Sequence, residues 1–313
     1  KRMLLKSYYK ILLLASLCCT SLWLNAQEGV YVSSSRPSSY LGLSIAGGEA
    51  NRIATKTSPV NNRAGWVADI SCYYEFHHRS WLWGIGLGLA FDNVNDTVAT
   101  FTDSFSRNDI DGEMVDYQYV YTSYRERQRM MNITIPIYVG VNINHIYAIL
   151  GARIDIPMET RYDVDATMYT QGIYPWSITP VASKGINDFS SLGFYREQPY
   201  TYSNEYEGYM HITPFAEVGY EFLTTSKISM RAGAYVAYAI PVIKSEKVAL
   251  ADYSAVNTNP HTQTLENLKE KISWNPLALS DKYTSLPYKL EVGVKLSVQF
   301  NVTVRGGKCM CEE

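Results

Sequence analysis

The sequence predicts an all-β fold, an eight-stranded antiparallel transmembrane β-barrel with up-and-down topology and long extracellular loops. From Pro287 to Val304 apolar and polar residues alternate without a break. Because successive side chains of a strand point to opposite faces, one face of this strand is wholly apolar. Similar segments recur along the chain, and the connections between them are alternately short and long, as in outer-membrane barrels. A ten-stranded barrel is the alternative, with a further strand pair from 30–33 or 117–121.

The remaining strands and their connections predict how the barrel is oriented. Besides 287–304, the predicted strands are 40–48, 66–76, 81–92, a strand that ends with 133–143, 146–156, 209–223 and 228–240. Short turns are expected at 77–80, 144–145 and 224–227. Long connections are expected at 49–65, 93–132, 158–208 and 242–287. With both termini in the periplasm, every long connection is extracellular and every short turn periplasmic.

Residues 1–26 have the pattern of a secretory signal peptide. A positively charged start precedes the apolar stretch 11–24, and the small residue Ala26 offers a cleavage site. Residues 27–304 are then the barrel, and 305–313 are a short periplasmic tail. Removal of 1–26 with its four basic residues changes the formal net charge from −2 to −6, which argues against general binding of nucleic acid.

Composition excludes a helical membrane protein. After residue 26 no apolar run is long enough to span a bilayer as a helix. The chain holds 26 tyrosines, which suits the aromatic girdles of barrels, against 5 histidines and 5 cysteines. Cys309 and Cys311 lie in the tail, and no pattern of histidine or acidic ligands accompanies them in the sequence. Neither a metal site nor a cofactor is predicted.

Two neighbouring strands resemble a known family. The run MNITIPIYVGV at 131–141, followed by a tight turn and YAILGARIDIP at 147–157, resembles the Bacteroidetes outer-membrane β-barrel domain family. That family is distantly similar to OmpA-type transmembrane domains and includes PorT-like proteins. The resemblance implies an integral location in a bacterial outer membrane. The last strand also resembles the terminal signal recognised by the outer-membrane barrel assembly machinery, with Gly293, Leu296 and Val298 as its signal residues.

The inward faces of the predicted strands carry charges of both signs. An eight-stranded barrel has room for little beyond its own side chains, and an isolated buried charge is costly, so a lumen filled by ion pairs is expected. A path for protons or ions is the alternative. The stripe of Gly84, Gly86 and Gly88 is expected to make room for long arginine and lysine side chains. The expected network comprises Asp69, Glu75, Arg153, Asp155, His211, Glu217, Glu221, Arg231, Lys289, Glu291 and Lys295.

Two patterns point to the extracellular surface. Arg125, Arg127 and Arg129 share one outward face just above the apolar part of their strand, at the height of lipid A phosphates, so contact with lipopolysaccharide is predicted. A solvated strand extension is the alternative. Tyrosines of the long connections predict a recognition surface, and a β-extension stabilised by aromatic pairs is their alternative. These tyrosines include Tyr117, Tyr119, Tyr121, Tyr195, Tyr200, Tyr202 and Tyr206.

The predicted function is non-enzymatic: surface recognition or adhesion through extracellular loops, or service as the barrel subunit of an outer-membrane assembly. The resemblance implies a PorT-like accessory of protein secretion as an alternative. A lipid A-modifying enzyme is another, because His211-x-Thr213 resembles the His-x-Ser of lipid A deacylases, although both residues have inward parity. A small-solute channel is the last. Expected partners are outer-membrane lipid and lipopolysaccharide, the barrel assembly machinery and proteins bound by the loops.

Overall fold

The computed structural model describes residues 37–52, 60–108, 112–176, 181–182, 196–225, 227–242, 249–252, 272–280 and 288–303. Within them the protein is all-β, as predicted, and every strand pairing is antiparallel. The predicted signal peptide 1–26, the tail 305–313 and the candidate strand 30–33 lie outside the described residues. The strands are β1 (Ser38–Arg52), β2 (Val60–His78), β3 (Trp81–Val98), β4 (Phe101–Asn108), β5 (Met114–Ile143), β6 (Ile146–Ile173), β7 (Val181–Ala182), β8 (Gln198–Glu205), β9 (His211–Thr224), β10 (Ile228–Pro241), β11 (Ala251–Asp252), β12 (Ser273–Trp274) and β13 (Lys289–Asn301).

The main sheet returns to its first strand. β1 pairs with β2, β2 with β3, β3 with β5, β5 with β6 and β6 with β9. β9 then pairs with β10, β10 with β13, and β13 again with β1. The sheet is therefore ring-like, with an inside and an outside. β4 pairs with β5, β7 and β8 pair with β6, and β11 and β12 form a separate two-stranded sheet.

Short turns join the strands at one end of the ring. The turns predicted at 77–80 and 224–227 lie where β2 meets β3 and where β9 meets β10. Between β5 and β6, Asn144 and His145 have φ angles of 51° and 68°. Two successive residues with positive φ are typical of a type I′ hairpin turn, whose twist matches that of the flanking strands. The predicted positions of all three short turns are confirmed.

At the other end of the ring the chain continues as strands. The prediction of loops at 49–65, 93–132 and 158–208 is therefore wrong in large part. The physical reason is that the outward side chains change from apolar to charged or polar above Met131, while the strands and their pairing continue. Here the strand segments 93–108, 114–130, 159–173 and 198–205 are called the extension.

A bulge in β5 changes which residues face inward. The register of β5 against β6 shifts between Tyr121 and Ser123, so Thr122 is the extra residue. Below the bulge the buried residues of β5 are all even-numbered, whereas above it the odd-numbered residues from Val115 to Tyr121 are buried, together with Val120. An uninterrupted two-residue period would therefore assign the wrong face to the tip of this strand.

Apolar side chains are buried in two places and exposed in a third. A small aromatic cluster lies inside the ring, and a larger one lies inside the extension. On the outer face of the ring, in contrast, each ring strand exposes apolar side chains, with Leu43, Leu150 and Val294 57%, 66% and 62% exposed. This outer surface is called the apolar belt. No helix in the described part of the chain is long and apolar enough to cross a membrane.

Candidate functional site

The interior of the ring holds charged side chains in three layers. The layer nearest the short turns centres on Glu75 and Arg231, whose Oε1 and Nη1 atoms are 2.7 Å apart. Both side chains are at most 2% exposed. Arg231 Nε also lies 3.6 Å from Glu221. Glu75 further accepts hydrogen bonds from Gln299 Nε2 and from the Tyr138 hydroxyl, both at 2.9 Å. A buried guanidinium thus holds two carboxylates together.

The second layer joins Lys295 to Glu217. Lys295 Nζ lies 2.9 Å from Glu217 Oε2, and the Tyr147 hydroxyl donates to the same carboxylate at 2.8 Å. The Lys295 ammonium is also 5.9 Å and 6.0 Å from the ring centroids of Tyr73 and Tyr138. At these distances the face of an aromatic ring attracts a cation. Aromatic rings therefore supply part of the compensation for this buried charge.

The third layer lies toward the extension. Arg153 Nε donates to Asp155 at 2.6 Å, and its Nη2 lies 3.0 Å from Glu291. Lys289 Nζ lies 2.9 Å from Glu291 and 2.6 Å from Asp92. Two cations thus share three buried carboxylates. Such an arrangement stabilises the ring only while it is complete, because removal of one partner leaves a charge buried without compensation.

Two further predicted residues lie in the interior beside these layers. Asp69 accepts a hydrogen bond from Thr134 Oγ1 at 3.3 Å and lines a cavity of about 50 Å³ together with Arg153, Glu217 and Lys295. The imidazole of His211 is buried, with its centroid 6.5 Å from that of Tyr209. All eleven side chains predicted for the interior therefore lie inside the ring.

Sequence reasoning missed Asp92 and two of the interior tyrosines, Tyr138 and Tyr147. Asp92 has the same parity as Gly84 and Ala90, so the signal was available, but the residue stood at the predicted end of its strand. The occupant predicted for the glycine stripe is wrong. A Cβ at Gly84 would overlap the ring of Tyr138, so an aromatic ring, rather than an arginine or lysine side chain, fills this space.

A chain of polar groups continues from the ring into the extension. Arg52 Nη1 lies 3.1 Å from Asp96 Oδ2, and Arg52 also donates to Gln128 Oε1. Gln128 in turn donates to Glu126 and accepts a hydrogen bond from the Tyr206 hydroxyl at 2.8 Å. Glu126 and Gln128 alternate with the three predicted arginines, so their inward direction follows from the same parity that turns the arginines outward.

Residues 272–280, from the connection between β10 and β13, fold into the extension and are called the cap. Trp274 and Leu277 of the cap are 1% and 0% exposed. Trp274 Nε1 donates to the Tyr121 hydroxyl at 3.0 Å, and the Tyr162 hydroxyl donates to the carbonyl oxygen of Trp274 at 2.6 Å. Sequence reasoning assigned this segment to a long extracellular connection and gave no sign that it packs inward.

Glu126 is completely buried beneath the cap. Its Oε2 accepts hydrogen bonds from the backbone N–H of Leu277 at 2.9 Å and from the Tyr124 hydroxyl at 3.2 Å. Burial raises the pKa of Glu126 to about 7, although Arg52 and the hydrogen bonds from Gln128 and Leu277 act to lower it. A carboxyl group that changes charge near neutral pH thus joins the cap to the sheet.

The three arginines predicted to contact lipid are exposed on the outer face of the extension. Arg129 is the first outward residue above Met131, which is at the upper edge of the apolar belt. Arg127 and Arg125 follow at the next outward positions. Arg125 lies opposite Asp165 of β6 in the register of the sheet. The arginines therefore lie just above the apolar belt and point outward, as predicted from parity.

Cross-strand partners accompany these arginines. Arg129 forms an ion pair with Asp163, and Arg127 Nε donates to Asn95 Oδ1 at 3.4 Å. Burial alone would raise the pKa of Asp163, but hydrogen bonds from Arg129 and Ser203 lower it. These contacts are the ones expected of a solvated strand extension. Contact with lipopolysaccharide stays a prediction.

The tyrosines predicted to form a recognition surface are mostly buried. Phe101 stacks on Tyr121 and Phe105 on Tyr117, with centroids 4.4 Å and 5.5 Å apart. The inner face of the extension closes over the cap, so these rings form a core instead of an exposed surface. Tyr195 lies outside the described residues. The buried tyrosines, each at most 4% exposed, are Tyr117, Tyr119, Tyr121 and Tyr200, and those partly buried are Tyr202 and Tyr206.

The three residues of the predicted assembly signal lie in β13. Gly293 approaches β1 so closely that a Cβ would overlap the carbonyl oxygen of Gly47. Leu296 is 49% exposed in the apolar belt, and Val298 is half-buried. Glycine at 293 therefore has a structural role in the β1–β13 pairing, apart from any recognition of this strand.

In the described residues, no group of three or more histidine, cysteine or acidic side chains is arranged to hold a metal ion. The chain matches no protein-family model and no curated protein. Its function is therefore inferred from the geometry of the ring, the extension and the cap.

Proposed function

We propose that the chain is an integral outer-membrane β-barrel with eight strands and a filled lumen. The observation that carries the proposal is an inverted distribution of polarity, since the ring strands expose apolar side chains and bury charged ones. An apolar belt that continues around the ring is unfavourable in water, whereas the hydrocarbon of a bilayer accommodates it. Pairing around a ring also satisfies the backbone groups within the bilayer, where water is absent.

In this proposal the short turns are periplasmic and the extension is extracellular. β1 begins and β13 ends at the side of the short turns, because Ser38 pairs with His77 and Phe300 pairs with Ile228. The extension, at the opposite end, exposes charged and polar residues above the belt. Lipopolysaccharide is the proposed lipid partner of Arg125, Arg127 and Arg129, and the barrel assembly machinery is the proposed partner of β13.

The proposed role is non-enzymatic, in surface recognition or adhesion or as the barrel subunit of an outer-membrane assembly. The outer face of the extension supports this role, because it exposes charged and polar side chains above the belt, where a partner protein can reach them.

The alternatives have less support. The three ion-paired layers argue against a small-solute channel. Thr213 Oγ1 donates to Asp155 at 2.6 Å inside the ring, away from the acyl chains that a lipid A-modifying enzyme must reach. A PorT-like role in secretion rests on the sequence resemblance alone.

Trypsin treatment of intact cells tests the membrane location and its orientation together. Arg196 is exposed two residues before β8, whereas Arg79 and Lys227 are exposed in the short turns. We expect cleavage after Arg196 in intact cells, and cleavage after Arg79 or Lys227 only once the outer membrane is permeabilised. Cleavage at the short turns of intact cells would contradict the orientation. Release of the uncut protein from membranes by alkaline carbonate would reject the membrane-spanning barrel itself.

A further inference from the structure

The cap is attached to the extension by side-chain packing and hydrogen bonds, and not by strand pairing. Its only described strand, β12, pairs with β11 and not with the main sheet. Ile272, Trp274 and Leu277 pack into the core of the extension. The hydrogen bonds to the sheet involve tyrosine hydroxyls and Glu126, and one of them runs from the Tyr209 hydroxyl to the carbonyl oxygen of Ala278 at 3.3 Å. A segment held in this way can separate from the sheet without breaking the strand ladder of the ring.

Glu126 is the ionisable group at this contact. The charged groups that face it are Arg52 of β1 and Asp96 of β3, and these two form an ion pair with each other. The titratable hydroxyls around it belong to Tyr124 of β5, Tyr162 of β6 and Tyr206, which follows β8. Within the described residues, the carboxyl group of Glu126 is bound by neutral donors and forms no direct ion pair.

We propose that residues 272–280 form a displaceable cap whose opening is coupled to the loss of a proton from Glu126. In the closed state the carboxyl group is fully buried, which disfavours its charged form. Separation of the cap gives the carboxylate access to water and removes this cost. Ionisation therefore favours the open state, in which the tyrosine-lined inner face of the extension is accessible from outside.

The direction of the pH dependence follows from this coupling. Burial raises the pKa of Glu126 to about 7 in the closed state, against an ordinary value of 4.5. The closed state is fully stabilised below pH 4.5 and loses this contribution as the pH rises to about 7. Each pH unit within this window changes the opening equilibrium about tenfold, so the full change is on the order of a few hundredfold.

Hydrogen exchange of the cap amides tests the coupling. The full chain in detergent micelles is compared with Glu126→Gln, which keeps the shape and an acceptor oxygen but cannot ionise. Because intrinsic exchange rates are the same for both proteins, the ratio of the two observed exchange rates reports only the difference in cap opening. We expect the exchange of 272–280 in the unmodified protein, relative to the variant, to rise by roughly fifty- to a hundredfold between pH 5 and pH 8.

Two comparisons keep the test decisive. Glu159→Gln removes an exposed carboxylate on the outer face of the extension and should reproduce the unmodified profile. If Glu126→Gln does not assemble, the exchange rate of the cap amides in the unmodified protein is compared with that of the β8 amides in the same sample. The ratio of the cap rate to the β8 rate should then rise with pH. Parallel profiles for the unmodified protein and Glu126→Gln, or a cap-to-β8 ratio that stays constant from pH 5 to pH 8, would overturn the proposal.

Discussion

Replacement of Arg231 by methionine removes the guanidinium that two buried carboxylates share. Arg231 is 2% exposed and lies 2.7 Å from Glu75 and 3.6 Å from Glu221. Methionine fills much of the same volume and keeps contact with the ring of Tyr147, over which the guanidinium lies at 5.1 Å. The substitution therefore removes charge with little change in packing.

The expected loss of stability follows from the carboxylates left behind. Removal of one partner from a buried ion pair costs about 3–5 kcal/mol, because the other charge stays buried without compensation. Glu75 keeps its contact with His77 and neutral donors from Gln299 and Tyr138, so the loss should fall within this range despite the two partners. Addition of Glu75→Gln to Arg231→Met should recover at least about 1 kcal/mol, since one stranded carboxylate is then absent.

Denaturant unfolding in detergent micelles, followed by tryptophan fluorescence, measures these differences. Arg161→Met is a matched control, because Arg161 also contacts two carboxylates, Glu159 at 2.7 Å and Glu205 at 3.0 Å, but its side chain is 57% exposed. Its loss should be less than about 1 kcal/mol, as for other exposed ion pairs. Equal and small losses for the two arginine variants would refute the view that the interior ion pairs stabilise the ring.

The remaining predictions concern packing and the lipid surface. Gly84→Ala should lower the free energy of unfolding by about 1–3 kcal/mol, because the added methyl group displaces the ring of Tyr138. Gly47→Ala, whose methyl group would lie 3.7 Å from the nearest atom, is its control, and equal losses would contradict the packing. The triple variant with alanine at 125, 127 and 129 should assemble but retain less lipopolysaccharide at low salt, and the difference should shrink as salt rises. As a control, alanine at 79 and 227, at the short turns, should leave the amount of retained lipopolysaccharide unchanged. If the triple variant also retains an unchanged amount, the arginines belong to a solvated strand extension.

Parity along the strands predicted the ring because its two environments differ in polarity. Where the outside is the apolar belt, an outward leucine and an inward glutamate give opposite signals at successive positions. The inward placement of Glu75, Arg231 and Glu291 follows from this contrast. Above Met131 the outward residues are charged or polar and many inward residues are apolar or aromatic, so a rule that looks for apolar outward residues ended the strands too early although their hydrogen bonding continues.

The cap and the bulge could not be predicted in this way. The segment 272–280 has no regular period, and its burial depends on contacts with β5 and β6, which are distant in sequence. Thr122 shifts the register by one residue, and the sequence YVYTSY around it carries no glycine or proline to mark the shift. Both features are set by tertiary packing that local propensity does not encode.

The balance of charge inside the ring explains why tyrosine and glycine occur there together. The three layers and the cavity beside them hold seven carboxylates but four arginine and lysine side chains, an excess of three carboxylates over cations. Neutral donors offset part of this excess, because six of the carboxylates accept a hydrogen bond from a hydroxyl or amide side chain. Tyr138 and Tyr147 reach across the interior to donate, and Gly84 and Gly219 lie where a side chain would overlap their rings. The glycines thus allow tyrosines to complete a network that its cations alone do not balance. The carboxylates that need these donors are Asp69, Glu75, Asp92, Asp155, Glu217 and Glu221.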